Sequence, residues 1–280
     1  TYTVHHSWYK DNRWLPPEFI AFLMDLKVKN PYYYTIYCLG YWGNKQTGGL
    51  FYKHFDRAKS TDGKIAYNPD IALHLTFDFN VNPYMSASLW QVVGKVAYCI
   101  DEFAMVSPDN NTAGVCKEFT RRYLSHNAGL FIYGDPSGKN EDTRSEKGHN
   151  DYTVIRKDLI QFNPVSRVDS KHPPVVTRGN FINNIFQDGF EGVNIIISEK
   201  CKHFINDLLF LKEASDGTKF KEKTKDKESG ITYEKYGHFT DGFDYFICKC
   251  FNTEFLMYQN GKNPVQRSLG SNTFNSKVKY

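Results

Sequence analysis

Apolar and polar residues alternate through Leu73-His74-Leu75-Thr76-Phe77-Asp78-Phe79-Asn80, a period of two that predicts a strand. So apolar a strand belongs in the middle of a sheet, with helices lying over both faces. Residues 86–93 and 95–103 repeat the pattern on either side of Gly94, predicting two strands joined by a tight turn. The period then lengthens. Val115, Cys116, Phe119, Tyr123 and Leu124 share one face of a helix that Asn111 or Thr112 would cap. Short apolar runs at 129–133, 165–168 and 193–197 predict further strands, and helices are expected over 151–162, 176–186 and 200–212. Near the end, Phe239, Phe243, Phe246, Ile247 and Cys250 gather on one side of a predicted helix, with His238, Asp241 and Asp244 on the other. Three strands followed by alternating helices and strands make an α/β domain with a mixed sheet.

This domain is expected over residues 71–255. Residues 1–70 form an aromatic-rich, mostly helical appendage, in which Pro16-Pro17 starts a helix, Asn30-Pro31 breaks it, and residues 32–39 make a second short helix closed by Gly40. Residues 256–280 lack periodicity and read as a tail. No internal repeat is present.

Composition narrows the class. Of 280 residues, 40% are hydrophobic and 16% aromatic, which excludes a disordered chain. A net charge of +4 permits a nucleic-acid partner without demanding one. The six cysteines have no framework spacing, and Cys248 and Cys250 lie too close together for a zinc knuckle. Buried free thiols in a reducing, cytoplasmic setting are the expectation. No apolar run approaches the ~20 residues of a membrane span, and no signal peptide is recognisable. The chain starts at Thr1 without Met, so a fragment of a longer protein is expected.

The candidate chemistry is acidic. Asp78 sits at one apolar strand's end, Asp135 follows Gly134 at another, and Asp241 lies on the final helix. A carboxylate at the end of a buried strand is costly unless a cation or a hydrogen-bond network compensates it. Three such groups converging would hold two divalent cations, Mg²⁺ or Mn²⁺, for phosphodiester hydrolysis. Each aspartate alone reads equally well as a turn or cap residue, and the 238–244 stripe as a solvated helix face. Glu102 is a weaker candidate, which either helps the metals or caps a strand, the latter being the better reading. Lys219, Lys221, Lys223, Lys225 and Lys227 recur every second residue, either as one face of a hairpin strand tracking phosphates or as a solvated loop. Lys139, Arg144, Lys147, Lys171 and Arg178 flank the same region. No base-reading motif is recognisable, so contacts mainly with phosphates are expected.

Three stretches carry a family resemblance. Residues 9–20, then Leu39-Gly40-Tyr41-Trp42-Gly43 and Gly49-Leu50-Phe51, resemble the end of the ATPase portion of tailed-phage terminase large subunits. Asp78, Gly134-Asp135-Pro136 and the run from His238 to Tyr245 resemble the acidic motifs of the nuclease portion of that family. The resemblance implies a ribonuclease H-like fold and a metal-dependent nuclease that cuts double-stranded DNA during genome packaging. It implies Asp78 bridging both ions, Asp135 and Asp241 holding one each, and His238 as an adjoining group or proton shuttle. It also implies the portal protein and small terminase subunit as partners, in the host cytoplasm. Two positions depart from the family: Gly242 replaces alanine, and Asp244 replaces arginine, which leaves Asp244 an added ligand or a structural residue. No Gly-x-x-x-x-Gly-Lys-Ser/Thr occurs, so no ATP hydrolysis is expected of this chain alone. A junction resolvase and a non-catalytic docking module are the rival expectations.

Overall fold

In the computed structural model the alternating stretch is a strand from Leu73 to Asp78, and its two sets of side chains face different layers. The structure describes residue 3 and residues 5–29, 34–40, 49–139, 150–226 and 230–261. Tyr41-Trp42-Gly43, Arg144, Lys147, Lys227 and residues 262–280 of the expected tail lie outside the described residues.

Two compact units divide between Thr47 and Gly48. The first has a 3₁₀ turn, Tyr9–Asp11, the helix Pro17–Lys29 and a π-type turn, Tyr34–Cys38. Within it Leu23 and Cys38 are buried together, the thiol lying 3.5 Å from the Leu23 carbonyl oxygen.

The second unit is built on a seven-stranded mixed sheet. Its strands are β1 Thr61–Asp62, β2 Leu73–Asp78, β3 Met85–Val93, β4 Val96–Met105, β5 Leu130–Gly134, β6 Val165–Ser166 and β7 Asn194–Ser198, in the order β1-β7-β4-β3-β2-β5-β6. Only β3 runs antiparallel to both its neighbours, because short connections at 79–84 and 94–95 return the chain directly on either side of it. The later joins pass through helices and give parallel pairs. Both edge strands have two residues, too few to template pairing with another chain.

Each face carries its own core. Leu73, Leu75 and Phe77 pack with Val115, Phe119, Ile155 and Phe162 under the helices Thr112–Tyr123 and Asp151–Asp158. Trp90, Cys99 and Ile195 pack with Phe181, Phe204, Phe243 and Phe246 under Val175–Phe186, Lys202–Phe210 and Thr240–Cys250. Asn111 caps the first of these helices, its side chain accepting the Gly114 N–H at 2.9 Å. Side-chain period two therefore puts His74, Thr76 and Asp78 on the face covered by Thr240–Cys250.

The second unit begins earlier than residue 71. Phe51 and Tyr52 are buried in the same core as Phe243, and the Phe51 N–H donates to the Leu211 carbonyl at 2.8 Å. At the other end, residues 256–259 continue the helix Asn252–Gln259, because Phe255 packs against Phe181. A two-stranded hairpin, β8 Lys223–Lys225 with β9 Thr232–Glu234, stands apart from the main sheet.

Candidate active site

Register brings the first two acids together. In the parallel pair β2–β5, Phe77 lies opposite Gly134, so Asp78 and Asp135 leave the sheet side by side at its carboxyl end. Gly134 is required there: a Cβ would come within 2.7 Å of the Tyr152 hydroxyl and 3.0 Å of the Phe77 carbonyl. The third acid comes from above. Thr240–Cys250 lies so close on β2 that a Cβ on Gly242 would stand 3.0 Å from the Phe77 carbonyl oxygen and 3.3 Å from Thr76 Oγ1. Glycine at this position thus seats the helix, with Asp241 in its first turn, against the strand that ends in Asp78.

The charges are crowded. Burial pushes the Asp78 carboxyl well above its usual range, and Asp241, Glu234 and Asp135 push it further, with Lys219 pulling the other way. Asn80 donates its side-chain N–H to Asp78 Oδ1 at 2.8 Å. Burial also opposes charge on Asp135, but the Ser137 hydroxyl and N–H, Tyr245 and His172 outweigh it and hold that carboxyl below its usual range. The Tyr245 hydroxyl donates to Asp135 Oδ2 at 2.8 Å, and His172 stacks on the Tyr245 ring at 3.5 Å with Nε2 4.0 Å from the same oxygen. Asp241 is likewise kept ionised, against burial, by Lys219, Arg178 and Lys221.

Asp244, expected as a possible ligand, is 0% exposed. Its Oδ1 accepts the Tyr52 hydroxyl at 2.7 Å, and its Oδ2 lies 2.7 Å from Lys219 Nζ and 3.6 Å from Arg178 Nε. The same two cations reach Asp241 Oδ1, Lys219 at 2.9 Å and Arg178 at 3.1 Å. Two acids and two bases form one largely buried quartet. Asp244 is thus the counter-ion of two cations supplied from other elements, Lys219 and Arg178.

That quartet corrects the expectation for two basic residues. Arg178 and Lys219, expected at a DNA surface, have side chains 3% and 9% exposed and are taken up by Asp241 and Asp244. Their burial is tolerable only because both are paired. Lys221, Lys223 and Lys225 do share an exposed face of the hairpin arm, and Lys221 also bonds Glu234 at 2.8 Å. Lys171 is exposed beside His172. His238 is buried, its Nε2–H donating to the Glu234 carbonyl at 2.6 Å and its ring meeting Tyr84 edge-on. This bond directs the imidazole to Glu234 and not to any of the three acids, and burial lowers its basicity. Glu102 caps a helix, accepting the His203 and Phe204 N–H groups at 3.0 and 2.9 Å.

Three participants were not anticipated. Tyr245 stands four residues after Asp241, on the same helical face, and that spacing could have revealed it. Glu234 lies opposite Lys223 in the hairpin, a pairing visible only once the register is known. His172 sits in a proline-rich loop with no periodic signal.

Among the described residues no three His, Cys, Asp or Glu side chains form a ready metal cage. The reason is visible: Asp135 is turned to Tyr245, and Asp241 to Lys219 and Arg178. The donor set nevertheless fits a hard divalent cation in kind. It is all oxygen, concentrated at one sheet end, and its charge crowding at Asp78 is what such a cation would relieve. Among the described residues no helix is long and apolar enough to cross a membrane.

No protein-family model and no curated protein matches the sequence. Solved structures do. The large terminase of a thermophilic bacteriophage matches 87% of this chain and 54% of its own, at 14% identity and a TM-score of 0.52. The nuclease domain of the P22 large terminase matches over 79% of this chain and 97% of its own, at 9% identity and a TM-score of 0.47. The nuclease domain of the large terminase of bacteriophage SPP1, solved with bound Mn, matches over 66% and 92%, at 14% identity and a TM-score of 0.39. The chain spans about half the length of the thermophilic phage protein. Its fold is the ribonuclease H-like mixed sheet with flanking helices that the sequence led us to expect.

Proposed function

We propose that this chain is the nuclease portion of a phage terminase large subunit, a divalent-metal-dependent endonuclease that cuts double-stranded DNA during genome packaging. The observation that supports the proposal is the register of β2 on β5 beneath Thr240–Cys250, with Asp78 and Asp135 leaving one end of the sheet and Asp241 in the first turn of the helix above. These positions are also the ones that resemble the acidic motifs of the family.

Asp78, Asp135 and Asp241 would hold two cations, Mg²⁺ or Mn²⁺. When bound, such ions activate a water and stabilise the leaving oxygen of an in-line displacement. Asp78, whose ionisation is opposed first by burial and then by its acidic neighbours, would be the central ligand. Tyr245 and Ser137 orient Asp135, and the Lys219–Arg178 pair keeps Asp241 ionised and aimed. Lys223 and Lys225 lie on one exposed face of the hairpin strand, at about 3.3 Å per residue, with exposed Lys221 just before it, so alternate lysines would follow a phosphate backbone without reading bases. By resemblance the partners are the portal protein and the small terminase subunit, in the host cytoplasm.

Asp78→Asn is expected to abolish Mn²⁺-dependent plasmid cleavage with the circular dichroism spectrum unchanged. Cleavage retained by a contaminant-free preparation of that variant would refute the assignment.

A further inference from the structure

Asp207, in the Lys202–Phe210 helix, is 2% exposed and takes no part in the charged quartet. Both of its carboxylate oxygens are engaged by backbone: Oδ1 accepts the Gly237 N–H at 2.8 Å, and Oδ2 the Phe239 N–H at 3.0 Å. Those amides flank His238 in the turn that opens Thr240–Cys250, and Asp241 follows Phe239 by two residues. The turn is further closed by Thr240 Oγ1, which donates to the Gly237 carbonyl at 2.8 Å. Asp207 thus acts as a helix cap supplied from a different element, doing for Thr240–Cys250 what Asn111 does locally for Thr112–Tyr123.

The supporting helix is itself tied down. Glu102 of β4 accepts the His203 and Phe204 N–H groups at its start. Two carboxylates in series therefore connect the sheet to the Lys202–Phe210 helix, and that helix to the turn before Asp241. A role confined to stability is poorly served by this choice. Burial pushes the Asp207 carboxyl up to about 7 against the pull of the two amides, and the site is walled by Phe204, Leu208 and Phe239, where an apolar side chain would pack without that penalty. What an apolar residue could not do is fix the direction of two N–H groups.

We propose that Asp207 is a positioning residue: through the Gly237 and Phe239 amides it sets the direction in which Thr240–Cys250 presents Asp241, with Glu102 fixing the helix that carries Asp207. Its catalytic consequence rests on the nuclease reading above; the clamp itself does not.

The test uses the full chain with Asp207→Asn and Glu102→Gln. Asp207→Asn keeps one acceptor oxygen and turns an NH₂ group against the second amide, so it breaks one arm of the clamp. Amide hydrogen exchange is followed across residues 237–243, with Thr112–Tyr123 as the reference helix. The Mn²⁺ concentration for half-maximal plasmid cleavage is measured alongside, and Mn²⁺ binding by calorimetry. Faster exchange confined to 237–243 is expected, with a Mn²⁺ requirement raised about 10-fold and a rate at saturating Mn²⁺ close to that of the parent. Glu102→Gln should act in the same direction with smaller amplitude.

A folded Asp207→Asn protein with parental exchange at 237–243 and a parental Mn²⁺ requirement overturns the proposal. Should that variant fail to fold, Glu102→Gln decides by the same two measurements, and unchanged values in it overturn the proposal equally. If the parent neither cuts DNA nor binds Mn²⁺, the nuclease reading fails. Exchange alone then judges the clamp, unaltered protection counting against it.

Discussion

Removing one charge from the buried quartet should unbalance the remaining three. Asp244→Asn keeps the shape and an acceptor for the Tyr52 hydroxyl, but leaves Lys219 and Arg178 facing Asp241 alone. With Lys219 Nζ at 2.7 Å from Asp244 Oδ2, the gross attraction removed is on the order of 6 kcal/mol at an effective dielectric constant of about 20. Most of that offsets the desolvation of the two ions. The net cost of stripping one partner from a buried pair is about 3–5 kcal/mol. Urea denaturation of the parent, Asp244→Asn, Lys219→Met and the double variant gives the cycle. The single variants should each lose about 3–5 kcal/mol, and the double variant, which restores one acid to one base, should lose much less than their sum. Strictly additive losses, or a loss under about 1 kcal/mol for Asp244→Asn, would refute the idea that charge balance holds this part of the fold.

Three further outcomes are expected. His74 is half-buried against the Tyr133 hydroxyl, and burial, with Arg167 adding to it, lowers its pKa to about 4. The folded state therefore resists protonating it: stability is complete above the unfolded value near 6.5 and falls as pH drops toward 4. The acid-induced loss is up to about 3 kcal/mol, and denaturation series from pH 7 to 4 should show it reduced in His74→Gln. Gly242→Ala gains about 1 kcal/mol of helix propensity but presses a methyl onto the Phe77 carbonyl, which the central strand cannot move; overpacking of about 1–3 kcal/mol should win, lowering the melting temperature. A more stable alanine variant would mean that the helix has room to lift. Charge reversal at Lys221, Lys223 and Lys225 should weaken DNA binding evenly across sequences and flatten its salt dependence, by up to about 0.9 in log–log slope for each phosphate no longer neutralised; an unchanged slope would remove the hairpin from the DNA path.

Local periodicity made most of the sheet legible. The β2, β3 and β4 strands lie within two residues of their expected positions, and the Asn111-capped helix starts where expected but ends at Tyr123, short of His126, because one buried face imposes a strict period on each. The boundary near residue 70 was not legible, since Phe51 and Tyr52 join a core most of whose members lie far downstream. The acids at 78, 135 and 241 were visible as strand-end and helix-stripe signals. Their partners were not. A lysine at every second position looks the same whether its strand is solvated or its first member is buried: Lys219 turned inward to Asp244 while Lys221, Lys223 and Lys225 stayed outside. Asp244 stood out in the sequence as part of the 238–244 stripe and as a departure from the resemblance, and in the structure it is the counter-ion of charges supplied by residues 178 and 219.

The docking of Thr240–Cys250 on β2 also has a bearing on when, during synthesis, the proposed centre can be complete. The first two carboxylates are in place once β5 joins β2, but the third arrives only with a helix placed far later in the chain. A polypeptide still emerging from the ribosome, or clipped ahead of that helix, holds an unfinished set and cannot complete the centre proposed here. Completion of that centre is thereby tied to synthesis of one of the domain's last two helices.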